Sequence, residues 1–131
     1  MIVVDTTVWI DYLRGTRTPP ADWLEANLTN ERFGLTDLIL CEVLQGVPTD
    51  SQFEAVSQEL LRFEVFETGT VELAVKAALN YRRLRVAGRT IRKTIDCLIA
   101  TYCLIEGHTL LHSDRAYDPF EDVLGLNVVH P

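Results

Sequence analysis

Four acids in this sequence sit where catalytic groups sit. Asp5 interrupts the β-branched run Ile2-Val3-Val4 where the pattern turns helical, and Asp114 follows Thr109-Leu110-Leu111-His112 in the same way. Asp96 falls in the first turn of the apolar stretch from Thr94 to Ile105, and Glu42 lies inside a mainly apolar helical segment just past a second strand. If the strands ending at Asp5 and Asp114 are parallel neighbours, the four carboxylates converge on the sheet rim where open α/β sheets bind ligands. Converging carboxylates repel unless something positive intervenes. Hard oxygen donors suit Mg²⁺ or Mn²⁺, and no thiolate or imidazole set suggests zinc. A metal held this way lowers the pKa of a bound water, orients it toward a phosphorus and stabilises the leaving oxygen. The implied chemistry is phosphodiester or phosphoryl hydrolysis.

Taken singly, each acid has a plainer explanation: Asp96 as a helix cap, Asp114 as a turn former, Glu42 as a surface residue, Asp5 as a satisfied acid at a strand end. Taken jointly these explanations are less comfortable, and for Asp5 the plain one is rejected. His112 has no second histidine at ligand spacing, and Ser113 lacks the G-x-S-x-G elbow of a nucleophile. Trp9, Tyr12 and Trp23 read as core. Arg82, Arg83, Arg85, Arg89, Arg92 and Lys93 put six of the twelve Lys and Arg into one twelve-residue window. Within it Arg82, Arg85, Arg89, Arg92 and Lys93 read either as a solvated face or as a contact for an RNA backbone.

The elements that must hold these groups follow from periodicity and punctuation. A buried strand covers Ile2 to Val4, and a helix carries Val8, Trp9, Tyr12 and Leu13, with Thr6 or Thr7 as N-cap and Gly15 as its stop. Pro19 and Pro20 suit the first turn of a helix over 21–28. A strand over 32–36 precedes a helix capped by Asp37, Asp50 or Ser51 starts another, and residues 63–66 alternate as a strand. The spacing predicts a long helix over 70–87, with Val71, Ala74, Val75, Ala78, Tyr81 and Leu84 inward and Arg82, Arg85 and Arg89 outward. The helix opened by Thr94 is apolar nearly all round and belongs at the centre. Asp118-Pro119 reads as a turn, and 127–130 as a terminal edge strand. Strands alternating with helices imply one domain over residues 1–131, a three-layer α/β/α sandwich with a mainly parallel sheet.

Composition sets outer bounds. A chain of 131 residues, 47% apolar and 24% charged, is long enough for one full core. Its formal net charge of −7 argues against a broad basic surface. Cys41, Cys97 and Cys103 are odd in number, lie in apolar runs and form no ligand pair, which suggests buried free thiols in a reducing compartment. The opening stretch has no basic segment before it and is no signal peptide, and no run reaches the length of a membrane span. A cytoplasmic location is expected.

The chain resembles a PIN-domain ribonuclease, specifically a VapC-type toxin of a toxin–antitoxin pair. The resemblance rests on Val4-Asp5-Thr6-Thr7-Val8-Trp9-Ile10-Asp11, on Cys41-Glu42-Val43-Leu44-Gln45-Gly46, and on Thr94-Ile95-Asp96-Cys97-Leu98-Ile99-Ala100 followed by Gly107 to Asp114. Each motif alone is weak, while their ordered set is specific and runs over nearly the whole chain. It implies catalytic roles for Asp5, Glu42, Asp96 and Asp114, with Asp5, Asp96 and Asp114 as metal ligands and Thr6 in support. It also implies Mg²⁺ or Mn²⁺, an RNA substrate, toxin homodimers and a cognate VapB-type antitoxin whose tail blocks the acidic groove. One departure stands out: the family pattern often carries another acid two residues after the position matched by Asp114, before an aromatic, and here those positions are Ala116 and Tyr117. Asp118 is the candidate to stand in, and a second metal is in question. Two other classes remain open. A haloacid dehalogenase-like phosphatase also begins with a strand-end acid, but Thr7 stands where its second acid belongs. A non-catalytic scaffold could bind RNA or a partner through the basic run alone.

Overall fold

The computed structural model describes residues 1–131. Four short strands, β1 (Ile2–Val4), β2 (Phe33–Thr36), β3 (Glu64–Phe66) and β4 (Thr109–Leu111), form one parallel sheet in the order β3-β2-β1-β4. Seven helices surround it: α1 (Thr6–Arg14), α2 (Pro19–Ala26), α3 (Asp37–Gln45), α4 (Asp50–Leu60), α5 (Val71–Val86), α6 (Thr94–Glu106) and α7 (Asp118–Leu124). A short 3₁₀ turn, Arg115–Tyr117, precedes α7. The chain steps from β1 to β2 to β3 in one direction, then returns past β1 to β4. Right-handed crossovers therefore assign α1 to α4 to one face and α5 and α6 to the other. The packing agrees, with α1 against α2 and α3, α3 against α4, and α5 against α6.

β1 has a paired strand on either edge and helices over both faces, so all three of its residues are buried. Val3 pairs with Gly34 and Leu110, and the Asp5 N–H donates to the Leu111 carbonyl at 2.9 Å. Gly34 permits that packing: a Cβ there would lie 2.8 Å from the Glu64 carbonyl oxygen and 3.0 Å from the Phe66 ring. Beneath the sheet rim, Trp9 is fully buried against Phe63 at 4.8 Å between ring centroids, and Tyr12 packs on its edge.

Several local expectations are corrected. The N-cap of α1 is Asp5 itself rather than Thr6 or Thr7: its carboxylate accepts from the Thr7 N–H, satisfying one of the helix's orphan donors. Thr36, not Asp37, caps α3, while α4 starts at Asp50 as its sequence suggests, with Thr49 as the N-cap. Asp37 accepts instead from the backbone and hydroxyl of Thr68. Asp118-Pro119 is no turn but the start of α7, where a proline fits because the first-turn N–H is unused. The terminal edge strand reduces to one parallel bridge between Leu110 and Val128. Helix α5 buries Leu73, Ala77 and Leu84, so Val71, Ala74, Val75 and Ala78 face outward, with Val71 82% exposed. Cys41 is exposed, and only Cys97 and Cys103 are buried.

Candidate active site

The carboxyl ends of β1 and β4 form the crevice around which the acids gather. Connections leave the sheet in opposite directions at this point, so no crossover covers the rim between the two strands. Asp5 caps α1 from the end of β1 and is 3% exposed; Asp96, in the first turn of α6, is 6% exposed. Asp5 is gripped through both oxygens. Oδ2 accepts from the Thr7 hydroxyl at 2.9 Å, and Oδ1 accepts from the Tyr117 hydroxyl at 2.7 Å. The same Tyr117 hydroxyl lies 3.5 Å from Asp96 Oδ1. Asp96 Oδ2 is buried with no partner at all.

Burial, followed by the charges of Asp5 and Asp114, pushes the Asp96 carboxyl up to about 6, and Glu42 adds to the effect. The charges of the other three acids are thus all felt at Asp96. Glu42, half-buried on α3, accepts from the Thr6 hydroxyl at 2.8 Å, which ties it to the first turn of α1. Asp114 caps the 3₁₀ turn by accepting from the Ala116 N–H at 2.9 Å, and its own N–H donates to His112 Nδ1. His112 Nδ1 therefore acts as an acceptor, and burial pushes the ring's pKa down against the pull of the nearby acids. Asp118 shares no such placement; it heads α7, and its charge is felt at His112 rather than at Asp96.

A cleft of about 440 Å³ opens on Asp96 and Asp114 and is bordered by Arg92, Lys93 and Arg115. Ala116 lines it too, so no side chain beyond a methyl enters from that position. The basic run divides at this cleft. Arg92 and Lys93 reach it, whereas Arg89 pairs with Asp122 at 3.1 Å and Arg85 lies over the Tyr81 ring at 5.8 Å. Arg82 borders a separate apolar hollow between α5 and α6. Two groups of the site escaped the sequence reading. Arg115 stands outside the counted basic window, and Tyr117 enters that reading only as the aromatic after Ala116, with no role given to its hydroxyl.

No three of these carboxylates stand near enough, as arranged, to close around an ion. The donor chemistry nevertheless fits a hard divalent cation: oxygen ligands only, a buried carboxylate oxygen without a partner, and an Asp96 whose ionisation its acidic neighbours disfavour.

The PIN domain family model matches residues 2–123, almost the whole chain and all four acids. The chain belongs to the PIN domain family. Two similar curated proteins are the VapC ribonuclease Mb1587 of Mycobacterium bovis and ribonuclease VapC11 of Mycobacterium tuberculosis, each 29% identical over 96% of both chains. Among solved structures, this PIN domain superposes on VapBC2 of Rickettsia felis bound to a DNA fragment from its promoter, with a TM-score of 0.77, 19% identity and 98% of each chain covered. A toxin–antitoxin complex from Klebsiella pneumoniae gives a TM-score of 0.73 at 19% identity, covering 100% of this chain and 98% of that one. At these identities the structures speak for the fold, a parallel four-stranded PIN sheet with helices on both faces. The phosphatase alternative falls with the family assignment.

Proposed function

We propose that this chain is the ribonuclease toxin of a toxin–antitoxin pair, a single nuclease domain over residues 1–131 that hydrolyses RNA phosphodiester bonds with Mg²⁺ or Mn²⁺. The observation that carries the reading is the buried Asp5–Asp96 pair, with Asp96 Oδ2 unpartnered and the charges of Asp114 and Glu42 acting on it, at the carboxyl rim of the sheet. The ribonuclease names of relatives aligned along the same length support it.

Asp5, Asp96 and Asp114 would hold the ion, which when bound supplies a Lewis acid and a water of lowered pKa. Thr6 keeps Glu42 turned toward the rim, where it can take a proton from attacking water. Arg92, Lys93 and Arg115 flank the acids and offer donors to the phosphates on either side of the cut bond. The partner is a cognate VapB-type antitoxin, as in the toxin–antitoxin complexes that share the fold. Val71, Val75 and Leu79 form an exposed apolar stripe on α5, the kind of surface a second copy in a homodimer would cover. No helix is long and apolar enough to cross a membrane, and three unpaired thiols suit the cytoplasm.

The deciding experiment is RNA cleavage by purified chain stripped of metal, then supplied with Mg²⁺ or Mn²⁺. Cleavage should appear with the ion and stop with EDTA. Undiminished cleavage without metal would remove the acids from the chemistry, and RNA binding without cleavage under any ion would favour the scaffold alternative.

A further inference from the structure

Tyr117 is fully buried, and its hydroxyl is the one polar atom that its ring brings into the core. A phenylalanine would fill the same space beside Phe120 and His112 without burying a polar group. Burying a hydroxyl is unfavourable unless a partner takes its hydrogen bond. Here the partner is Asp5 Oδ1 at 2.7 Å, with Asp96 Oδ1 at 3.5 Å. The ring is delivered by the same 3₁₀ turn that carries Asp114: the Tyr117 N–H donates to the Asp114 carbonyl at 3.2 Å, and Asp114 caps the turn. One three-residue turn thus connects three of the four acids.

We propose that Tyr117 is a positioning residue of the acidic site, its hydroxyl holding Asp5 in the orientation that meets a divalent ion and standing between Asp5 and Asp96 when no ion is there. With Thr7 on Oδ2 and Tyr117 on Oδ1, Asp5 has no freedom to swing away from the rim. Asp96 keeps Oδ2 unengaged, so one carboxylate is fixed and the other has an oxygen to give. Partners of this kind, which touch a ligand rather than the metal, set affinity: their loss typically weakens metal binding about 10- to 100-fold. The proposal rests on the reading of the site as a carboxylate metal centre.

The test is calorimetric titration of Mn²⁺ into the purified full-length chain, wild type beside Tyr117→Phe, Thr7→Val and Phe120→Leu. Tyr117→Phe should raise the Mn²⁺ Kd about tenfold or more, and Thr7→Val should raise it as well, because each removes one hydroxyl donor from Asp5. Phe120→Leu disturbs the packing around the Tyr117 ring, so it should lower the melting temperature and leave the Kd where it was. A Tyr117→Phe protein that binds Mn²⁺ as tightly as wild type overturns the proposal and leaves the metal reading standing. If wild-type protein binds no Mn²⁺, the metal reading fails and the proposal fails with it. Should Tyr117→Phe not fold, Tyr117→Leu, which also lacks the hydroxyl, takes its place, and an unchanged Kd there is equally fatal.

Discussion

Asp96 carries a cost that the metal-free protein can be made to reveal. Burial and neighbouring acids raise its carboxyl from 3.8 to about 6, so between those values the folded state keeps a proton that the unfolded chain has released. The stability Asp96 contributes is therefore fully present below pH 4 and lost as the pH rises through 6. Replacing it with Asn, which keeps shape and one oxygen but removes the charge, should flatten that part of the pH dependence. In EDTA at pH 7.5 the variant should melt a few degrees above wild type, while cleavage is abolished. A variant that melts lower and still cuts RNA would leave Asp96 a structural acid and nothing more. Sulfur chemistry offers a second check at this scale. Cys41 is exposed, whereas Cys97 donates to the Ala77 carbonyl at 3.1 Å and burial pushes the Cys103 thiol up to about 12. A thiol reagent should modify Cys41 alone in the folded protein and all three after denaturation; fast modification of more than one would contradict the packing of α6.

Among the elements, the link between α5 and α6 sets which basic groups of the run lie beside the acids. Arg92 and Lys93 border the acidic cleft with Arg115, while Arg85 and Arg89 are engaged on α5 and with α7. Changing Arg92 and Lys93 to Glu should weaken RNA binding and flatten its salt dependence by about 0.7 per lost contact on a single strand. The same change at Arg82 and Arg85 should leave the slope nearly intact, and a larger effect there would move the RNA path onto α5. The strands are equally specific: Gly34→Ala drives a methyl against the Glu64 carbonyl, and overpacking of this kind costs about 1–3 kcal/mol, readable as a lower denaturation midpoint. Legibility also differed element by element. Strand ends and α6 were readable because β-branched runs and an apolar helix with no polar face admit one placement. The inward face of α5 was not, because Val71, Val75 and Leu79 make as apolar a stripe as Leu73, Ala77 and Leu84, and periodicity cannot choose between two such stripes. The role of the Tyr117 hydroxyl was not legible for a different reason: its partner lies 112 residues away, and no local pattern encodes that meeting.

For the whole molecule, an ion bound only by the folded state couples site occupancy to global stability. Metal at a hundredfold excess over its Kd should stabilise the wild-type chain by about 2.7 kcal/mol, and the Asp96→Asn chain by much less. Melting curves with and without Mn²⁺ would read this directly; equal shifts in both proteins would place the ion elsewhere. The position of β1 has a consequence for how this protein comes into being. Its central strand is translated first, yet one of its two neighbours is β4, and Asp5 meets its hydroxyl partner only at Tyr117. At synthesis rates of about 5–20 residues per second, the opening segment waits on the order of ten seconds for the residues that complete the rim. The acidic rim is therefore among the last parts of the fold to be completed during synthesis, since Asp5 finds its hydroxyl partner only once Tyr117 has emerged.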